Sequence, residues 1–152
     1  MSYRTKRELE LMPVLSILQY PDSRLRLKAA PVENIDEKIQ NLITNMLETM
    51  WDANGIGLAA TQVDVQQRII VMDLQGDRIN PRVFINAELA ILDKTPSSFD
   101  EGCLSIPEVV EAVERPSKVL IRAMDGKGRW FEEEAEGLLA VCIQHEIDHL
   151  DG

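Results

Sequence analysis

The feature that most constrains this chain is the pattern His-Glu-x-x-His at residues 145–149, close to its last residue. On a helix, residues four apart lie on one face, so the side chains of His145 and His149 can reach the same metal ion. Glu146, beside the first histidine, is then placed to act on a water bound to that ion. The sequence has no other histidine. A metal-binding helix is therefore predicted here, and a chance pattern on an amphipathic helix is the alternative.

A third ligand has to be a cysteine or a carboxylate, since no third histidine exists. Cys142 precedes His149 by seven residues, which is about 10 Å along a helix axis and too far for a short thiol to share the ion. Cys142 is better explained as a pocket wall or a small buried hydrophobe. Cys103 follows Gly102, and glycine allows a loop to approach the helix closely. We therefore predict Cys103, His145 and His149 as metal ligands, with water in the fourth position.

Length and charge narrow the class of protein. The 152 residues suffice for one domain with a sizeable core, and we predict a single domain over 1–152 with a flexible N-terminal extension over 1–12. The formal net charge of −10 argues against a nucleic-acid partner. No apolar run approaches the roughly 18 residues of a membrane span, and no secretory signal is evident. Two cysteines do not indicate a disulfide framework, so a cytoplasmic protein without membrane contact is expected.

Apolar periodicity predicts two helices. The first covers about 35–52, where apolar residues recur at helical spacing. Asn34 and Glu37 resemble its N-cap and capping box. Gly137 is expected to open the second helix, which carries the histidines, and its last turn is expected to fray. Upstream, 15–21 is expected to be extended and 21–26 to form a turn.

The remaining apolar runs predict strands, most of them joined by short turns. A hairpin turn is expected at 125–128, whose sequence is Asp-Gly-Lys-Gly. This order of helices and strands favours an α+β fold with mainly antiparallel sheets. The predicted strands are 68–74, 82–86, 87–92, 109–115, 118–124 and 129–135.

Three segments together resemble the signature motifs of the peptide deformylases: GIGLAATQ at 55–62, EGCLS at 101–105 and QHEIDHLDG at 144–152. Their order and spacing match over nearly the whole chain, from about residue 14 to 152. The resemblance implies antiparallel sheets surrounding a central metal-bearing helix. It also implies a hydrolase that removes the formyl group from formyl-methionine on newly synthesised peptides and releases formate.

The same resemblance implies roles for individual residues. A metal-bound hydroxide would attack the formyl carbon, with Glu146 as general base and then general acid. Gln62 and the backbone N–H of Leu104 would donate to the oxyanion, with Gly57 grouped among the catalytic residues. The implied ion is Fe(II) in the cell, and Zn(II), Ni(II) or Co(II) could substitute for it.

A substrate methionine needs an apolar, unbranched slot. The backbones of Ile56, Gly57 and Gly102 would pair with the extended peptide. Leu138 falls on the same helical face as the first histidine, although ordinary core is the alternative for that face. The resemblance implies these residues as the walls of the slot: Ile56, Phe99, Leu138, Val141 and Cys142.

Near the Cys103 loop, Glu101 and Arg115 are expected either to form an ion pair that braces the loop or to be two solvated charges. Glu101 is also included among the substrate-binding residues by the resemblance.

Two other functions share part of this pattern. A small metallopeptidase has the same two histidines but does not need the Glu-Gly-Cys loop. A relative that binds metal or peptide without turnover is disfavoured, because it would not need Glu146 or Gln62.

Family members usually continue through a C-terminal tail linked to ribosome docking, and this chain stops at Gly152. Docking through such a tail is therefore not expected. A monomer is the default expectation. The expected location is the bacterial cytoplasm, or that of a bacterial host if the chain is virally encoded.

Overall fold

The computed structural model describes residues 14–152, apart from the side chains of 107–109 and 111. The predicted extension over 1–12 lies outside the described residues. Two short 3-10 helices, Ser23–Arg26 and Ala60–Val63, accompany the regular elements. In chain order the regular elements are α1 (Glu37–Asp52), β1 (Gly57–Ala59), β2 (Ile69–Met72), β3 (Arg82–Cys103), β4 (Ile106–Met124), β5 (Trp130–Glu136) and α2 (Gly137–Asp151).

The five strands form one antiparallel sheet in which neighbours in sequence are also hydrogen-bonded neighbours. The predicted α+β fold with antiparallel strands is therefore confirmed. Asp125 and Arg129 close the turn between β4 and β5, with the Asp125 N–H donating to the Arg129 carbonyl at 2.9 Å. No helix in the described residues is long and apolar enough to cross a membrane.

Two expected strand breaks are wrong. The segments 82–86 and 87–92 belong to the single strand β3, and 109–115 and 118–124 belong to β4. At the first junction Asn86 has φ 54°, and its side chain bonds both the N–H and the carbonyl of Val32, at 2.8 and 2.9 Å. This is a bulge rather than an end, because one irregular residue re-aims a strand without stopping the ladder. At the second junction Pro116 lacks an N–H, yet it still faces Pro96 across the ladder.

The N-terminus of α1 also differs from the prediction. Asp36, not Asn34, is the N-cap, and its carboxylate accepts from the Ile39 N–H at 3.0 Å. Both residue types make good caps, but the apolar face that has to be buried begins at Ile39. The helix therefore starts at Glu37, and the capping box proposed for Asn34 and Glu37 does not form.

Strand β2 lies at the centre of the core and is buried on both faces. Ile69 and Val71 pack with the apolar face of α1, whereas Ile70 and Met72 pack with α2. Alternate residues of a strand point to opposite faces, so a continuous apolar run can serve two helices at once. The sheet is therefore covered by α1 on one side and by the histidine-bearing α2 on the other.

Because Asp36 and not Asn34 is the N-cap, substitutions at these two positions should change the free energy of unfolding by different amounts. Asp36→Ala removes the side-chain bond to Ile39 and should lower the free energy of unfolding by about 1 kcal/mol. Asn34→Ala is the matched control and should change it little, since Asn34 is exposed and caps nothing. Urea denaturation of both variants measures this, and an equal loss in the two would contradict the assignment.

Candidate metal centre

Three potential ligands come together from two elements. His145 and His149 lie one turn apart on α2, and Cys103 is the last residue of β3. The Nε2 atom of His149 is 3.2 Å from the sulfur of Cys103 and 3.1 Å from Nε2 of His145. All three ligand atoms lie within 4.8 Å of one another, the one such group that the described residues contain.

These separations can be compared with what a metal requires. Zn–N bonds of about 2.0–2.1 Å and Zn–S bonds of about 2.3 Å at tetrahedral angles place the ligand atoms roughly 3.3–3.6 Å apart. The two shortest separations here, 3.1 and 3.2 Å, are close to that range. One thiolate and two imidazoles are also donors that suit zinc and iron. The residues present therefore fit a divalent transition-metal ion.

The turn that carries Cys103 is held by the N-terminal segment. The Tyr20 N–H donates to the Ser105 carbonyl at 2.8 Å, and the Gln19 side chain donates to the Leu104 carbonyl at 3.2 Å. On the other side, a Cβ on Gly55 would lie 2.6 Å from the Leu104 side chain. Gly55 therefore allows the backbone after α1 to approach this turn.

The Glu101–Arg115 ion pair predicted from the sequence is confirmed. Arg115 donates from Nε and Nη2 to the two oxygens of Glu101, at 2.7 and 2.9 Å, and from Nη1 to Asp148 at 2.8 Å. Oε1 of Glu101 also lies 2.9 Å from Nδ1 of His145. Such a carboxylate partner fixes the orientation of an imidazole, so Nε2 of His145 is turned towards His149.

Burial and neighbouring charges together set the pKa values of Glu101 and His149. Burial alone would raise the pKa of Glu101, but its hydrogen bonds to Arg115 and His145 outweigh burial and lower it. His149 differs, because burial and the nearby His145 and Arg115 all lower its pKa, to about 4. His149 is therefore neutral near pH 7, which leaves a ring nitrogen able to bind a metal.

Gln62 is 1% exposed, and hydrogen bonds to both ends of its amide fix the orientation of that group. Its Oε1 accepts from the Ala59 N–H at 3.0 Å, so its Nε2 faces Ser105 Oγ at 3.1 Å and the Cys103 sulfur at 3.6 Å. Ser105 was missed among the predicted site residues. The one sequence signal for it was its position two residues after Cys103 in the Glu-Gly-Cys-Leu-Ser segment.

Glu146 is buried beside these groups, at 4% exposure, and its Oε2 has no hydrogen-bond partner in the described part of the chain. Burial, followed by the charge of Glu101, raises the pKa of Glu146 to about 8. A Cβ on Gly57 would lie 3.0 Å from Glu146 Oε1 and 2.9 Å from the Cys142 sulfur. Glycine is thus what allows β1 to pass this close to the carboxylate. A buried acid with an unpartnered oxygen in a cleft is a candidate for proton transfer.

Without a nearby cation, the surroundings of Cys103 favour the neutral thiol over the thiolate that would bind a metal ion. Burial raises the pKa of its thiol, only partly offset by a hydrogen bond from the Ser105 backbone N–H. A bound metal ion would favour the thiolate instead, because binding of the metal to the sulfur is coupled to release of the thiol proton.

A cavity of about 500 Å³ opens beside these residues. Leu138 lines it and is 47% exposed, so the alternative that Leu138 is ordinary core is wrong. Phe99 is paired with Val113 in the β3–β4 hairpin and is not part of the lining that the described residues form. The predicted site residues that line the cavity are Ile56, Gly57, Gln62, Glu101, Gly102, Cys103, Leu104, Leu138, Val141, Cys142, His145 and Glu146.

Other lining residues were not predicted as site residues, although Gly55 opens the segment 55–62 that carries the first motif. They come from the segment directly after α1 and from the β3–β4 hairpin, which meet only in the folded chain. They are Ala53, Asn54, Gly55, Asp100, Ile106 and Val110.

The chain is similar to known proteins over most of its length. A family model described as polypeptide deformylase matches residues 14–152. The peptide deformylase of Pseudomonas aeruginosa is 57% identical over 141 residues, which cover 93% of this chain and 84% of that protein. The peptide deformylase of Neisseria gonorrhoeae is 53% identical over the same share of this chain and 84% of its own length.

Solved structures of peptide deformylases have the same fold as this chain. The crystal structure of a peptide deformylase from Legionella pneumophila has a TM-score of 0.87 and 46% identity, and the alignment covers 91% of this chain and 82% of that one. A peptide deformylase from Synechococcus elongatus in complex with actinonin has a TM-score of 0.88 and 42% identity, over 91% of this chain and 77% of that one.

The ligand geometry predicts different outcomes for the two cysteines. Cys103→Ala should lose most bound metal, because it removes one of three protein ligands, whereas Cys142→Ala should retain about one ion per chain. Metal content by mass spectrometry after anaerobic loading and desalting provides the measurement. Metal loss in Cys142→Ala, with retention in Cys103→Ala, would overturn the choice of ligand.

Proposed function

Since the chain belongs to the peptide deformylase family, whose members are hydrolases that remove an N-terminal formyl group, we propose that it deformylates formyl-methionine on nascent peptides and releases formate. One observation carries the proposal. The Cys103, His145 and His149 ligand atoms lie together, and Cys103 and His145 line a cavity together with Glu146 and Gln62. The single domain over 1–152 and the monomer stay predictions.

The family implies a divalent metal ion, which we propose is held by Cys103, His145 and His149. When bound, such an ion supplies Lewis acidity and lowers the pKa of a water molecule towards about 7. We propose Fe(II) as the ion in the cell, with Zn(II), Ni(II) or Co(II) able to substitute, because one thiolate and two imidazoles suit all four.

Glu146 is proposed to accept the proton from the attacking water and then to give it to the departing amine. Its position supports this role, because it is adjacent to His145 in the sequence and its unpartnered Oε2 is buried beside the cavity. A carboxyl group held in this way can serve as base in one step and acid in the next.

Gln62 and the Leu104 N–H are proposed to donate to the oxyanion that forms on the formyl carbon. An amide donor does not titrate, and the bond from the Ala59 N–H to Gln62 Oε1 keeps the NH₂ group directed towards Cys103. Donors already in place before the reaction cost no reorganisation when charge develops.

The apolar wall of the cavity is proposed to bind the substrate methionine side chain. Leu138, Val141 and Cys142 line it from α2, and Ile56 lines it from the segment that leads into β1. In the described sheet β1 is an edge strand, so the backbones of Ile56 and Gly57 can pair with an extended peptide, with Gly102 facing it from β3. Phe99 is not used in this proposal.

Replacing Glu146 should separate metal binding from turnover. Glu146→Ala is expected to keep its metal and to lose about 10²–10⁴ in kcat, the usual contribution of a general base. Formate release from formyl-Met-Ala-Ser, measured with metal content on the same anaerobic sample, tests this. The control Glu132→Ala, on the edge strand β5, should be fully active, and metal loss or normal turnover in Glu146→Ala would refute the role.

Gln62→Met tests the oxyanion donor while keeping a side chain of similar length. The expected result is a fall of about 10²–10³ in kcat with little change in KM, because the lost bond matters most in the transition state. Steady-state kinetics on formyl-Met-Ala-Ser with a metal assay of each sample give the answer. A rise in KM alone would mean that Gln62 only binds the substrate.

A further inference from the structure

The last turn of α2, which carries His149, is held from outside the helix. The Thr61 hydroxyl donates to the His149 carbonyl at 3.0 Å, and the Ala29 N–H donates to the Leu150 carbonyl at 2.8 Å. Within the helix, the Gly152 N–H reaches the His149 carbonyl at a longer 3.4 Å. The final carbonyls of a helix need such outside partners, and these bonds oppose the fraying expected from the sequence.

Thr61 occupies an unusual place between two parts of the site. It is 1% exposed and lies in the 3-10 helix Ala60–Val63, directly before Gln62. Two consecutive residues of one short turn therefore contact the backbone of a metal ligand and point an amide at Cys103. The turn is itself fixed, because the Leu18 N–H donates to the Gln62 carbonyl at 2.7 Å.

We propose that Thr61 is a positioning residue for the metal centre, whose hydroxyl sets the distance between the His149 backbone and the Gln62 amide. This inference rests on the proposed function. A β-branched side chain has few rotamers, so the hydroxyl of a buried threonine gives a well-defined anchor. Without it, the His149 carbonyl keeps only its weaker internal bond, and the terminal turn of α2 loses one of the two outside hydrogen bonds that hold it.

A purely structural role is the alternative, and the chain offers a matched control for it. Thr49 is also 1% exposed, and its hydroxyl donates to the Asn45 carbonyl at 2.6 Å and accepts from the Leu15 N–H at 2.8 Å. It lies in α1, on the other side of the sheet from α2. Thr49→Val therefore removes a comparable buried hydroxyl that contacts no metal ligand, and its outside partner is Leu15, at the far end of the segment that carries Gln19 and Tyr20.

The experiment compares Thr61→Val, Thr61→Ser and Thr49→Val as full chains loaded with Zn(II). Four quantities are measured on each: the rate of Zn(II) transfer to a chromogenic chelator, kcat and KM on formyl-Met-Ala-Ser, and the midpoint of urea unfolding. Thr61→Val should release Zn(II) at least about 10-fold faster, as is usual when a residue that orients a ligand is removed. Its kcat should fall while KM changes less than about twofold, because the cavity wall is untouched.

The controls decide between positioning and general stability. Thr61→Ser keeps the hydroxyl and should restore both Zn(II) retention and kcat, whereas Thr49→Val should lower the unfolding midpoint with wild-type Zn(II) release. Equal Zn(II) release and equal kcat in Thr61→Val and Thr49→Val would overturn the proposal. If Thr61→Val does not fold, Thr61→Ala removes the same donor without adding a methyl group, and the same comparison applies. A wild-type chain that binds Zn(II) but does not turn over would instead contradict the proposed function.

Discussion

The rest of the structure depends on the contact between the end of β3 and the face of α2. Cys103 must reach two imidazoles on another element, and a separation of 3.2 Å between its sulfur and His149 leaves little tolerance. Burial of β2 on both faces supplies the rigidity, because α1 and α2 pack against opposite sides of one strand. A close-packed core transmits small displacements. A change in the packing on either side of the sheet should therefore alter the distances between the ligand atoms.

Charge balance is the second constraint. Two carboxylates, Glu101 and Glu146, are buried near the ligands, and Arg115 pairs with only the first. Burial therefore raises the pKa of both Glu146 and the Cys103 thiol. A divalent cation lowers the cost of both negative charges, so metal binding, the ionised state of the site and the stability of the fold are linked.

The histidine pattern and the Glu-Gly-Cys loop carried much of the sequence interpretation, because both depend on local spacing. Helical periodicity is enough to place His145 and His149 on one face, and axial rise is enough to set Cys142 aside as a ligand. The structure brings the predicted ligands together, lines a cavity with most of the predicted pocket residues and leaves Phe99 outside it. The positions of β2 and β5 were also predictable, whereas the short strand β1 was missed and the continuity of β3 and of β4 was not predicted.

What the sequence by itself determined is therefore the type of fold, the helix that carries the histidines and the chemistry of the donors, since each is expressed in residue type and short-range period. Only the tertiary structure decided which partner residues orient the side chains of the site. Ser105 meets Gln62 across 43 residues, and Thr61 meets the His149 carbonyl across 88. No local pattern encodes contacts at such separations, because they arise when distant segments pack against the same helix. The choice of Asp36 over Asn34 as cap has the same origin, because burial of Ile39 decides where α1 begins.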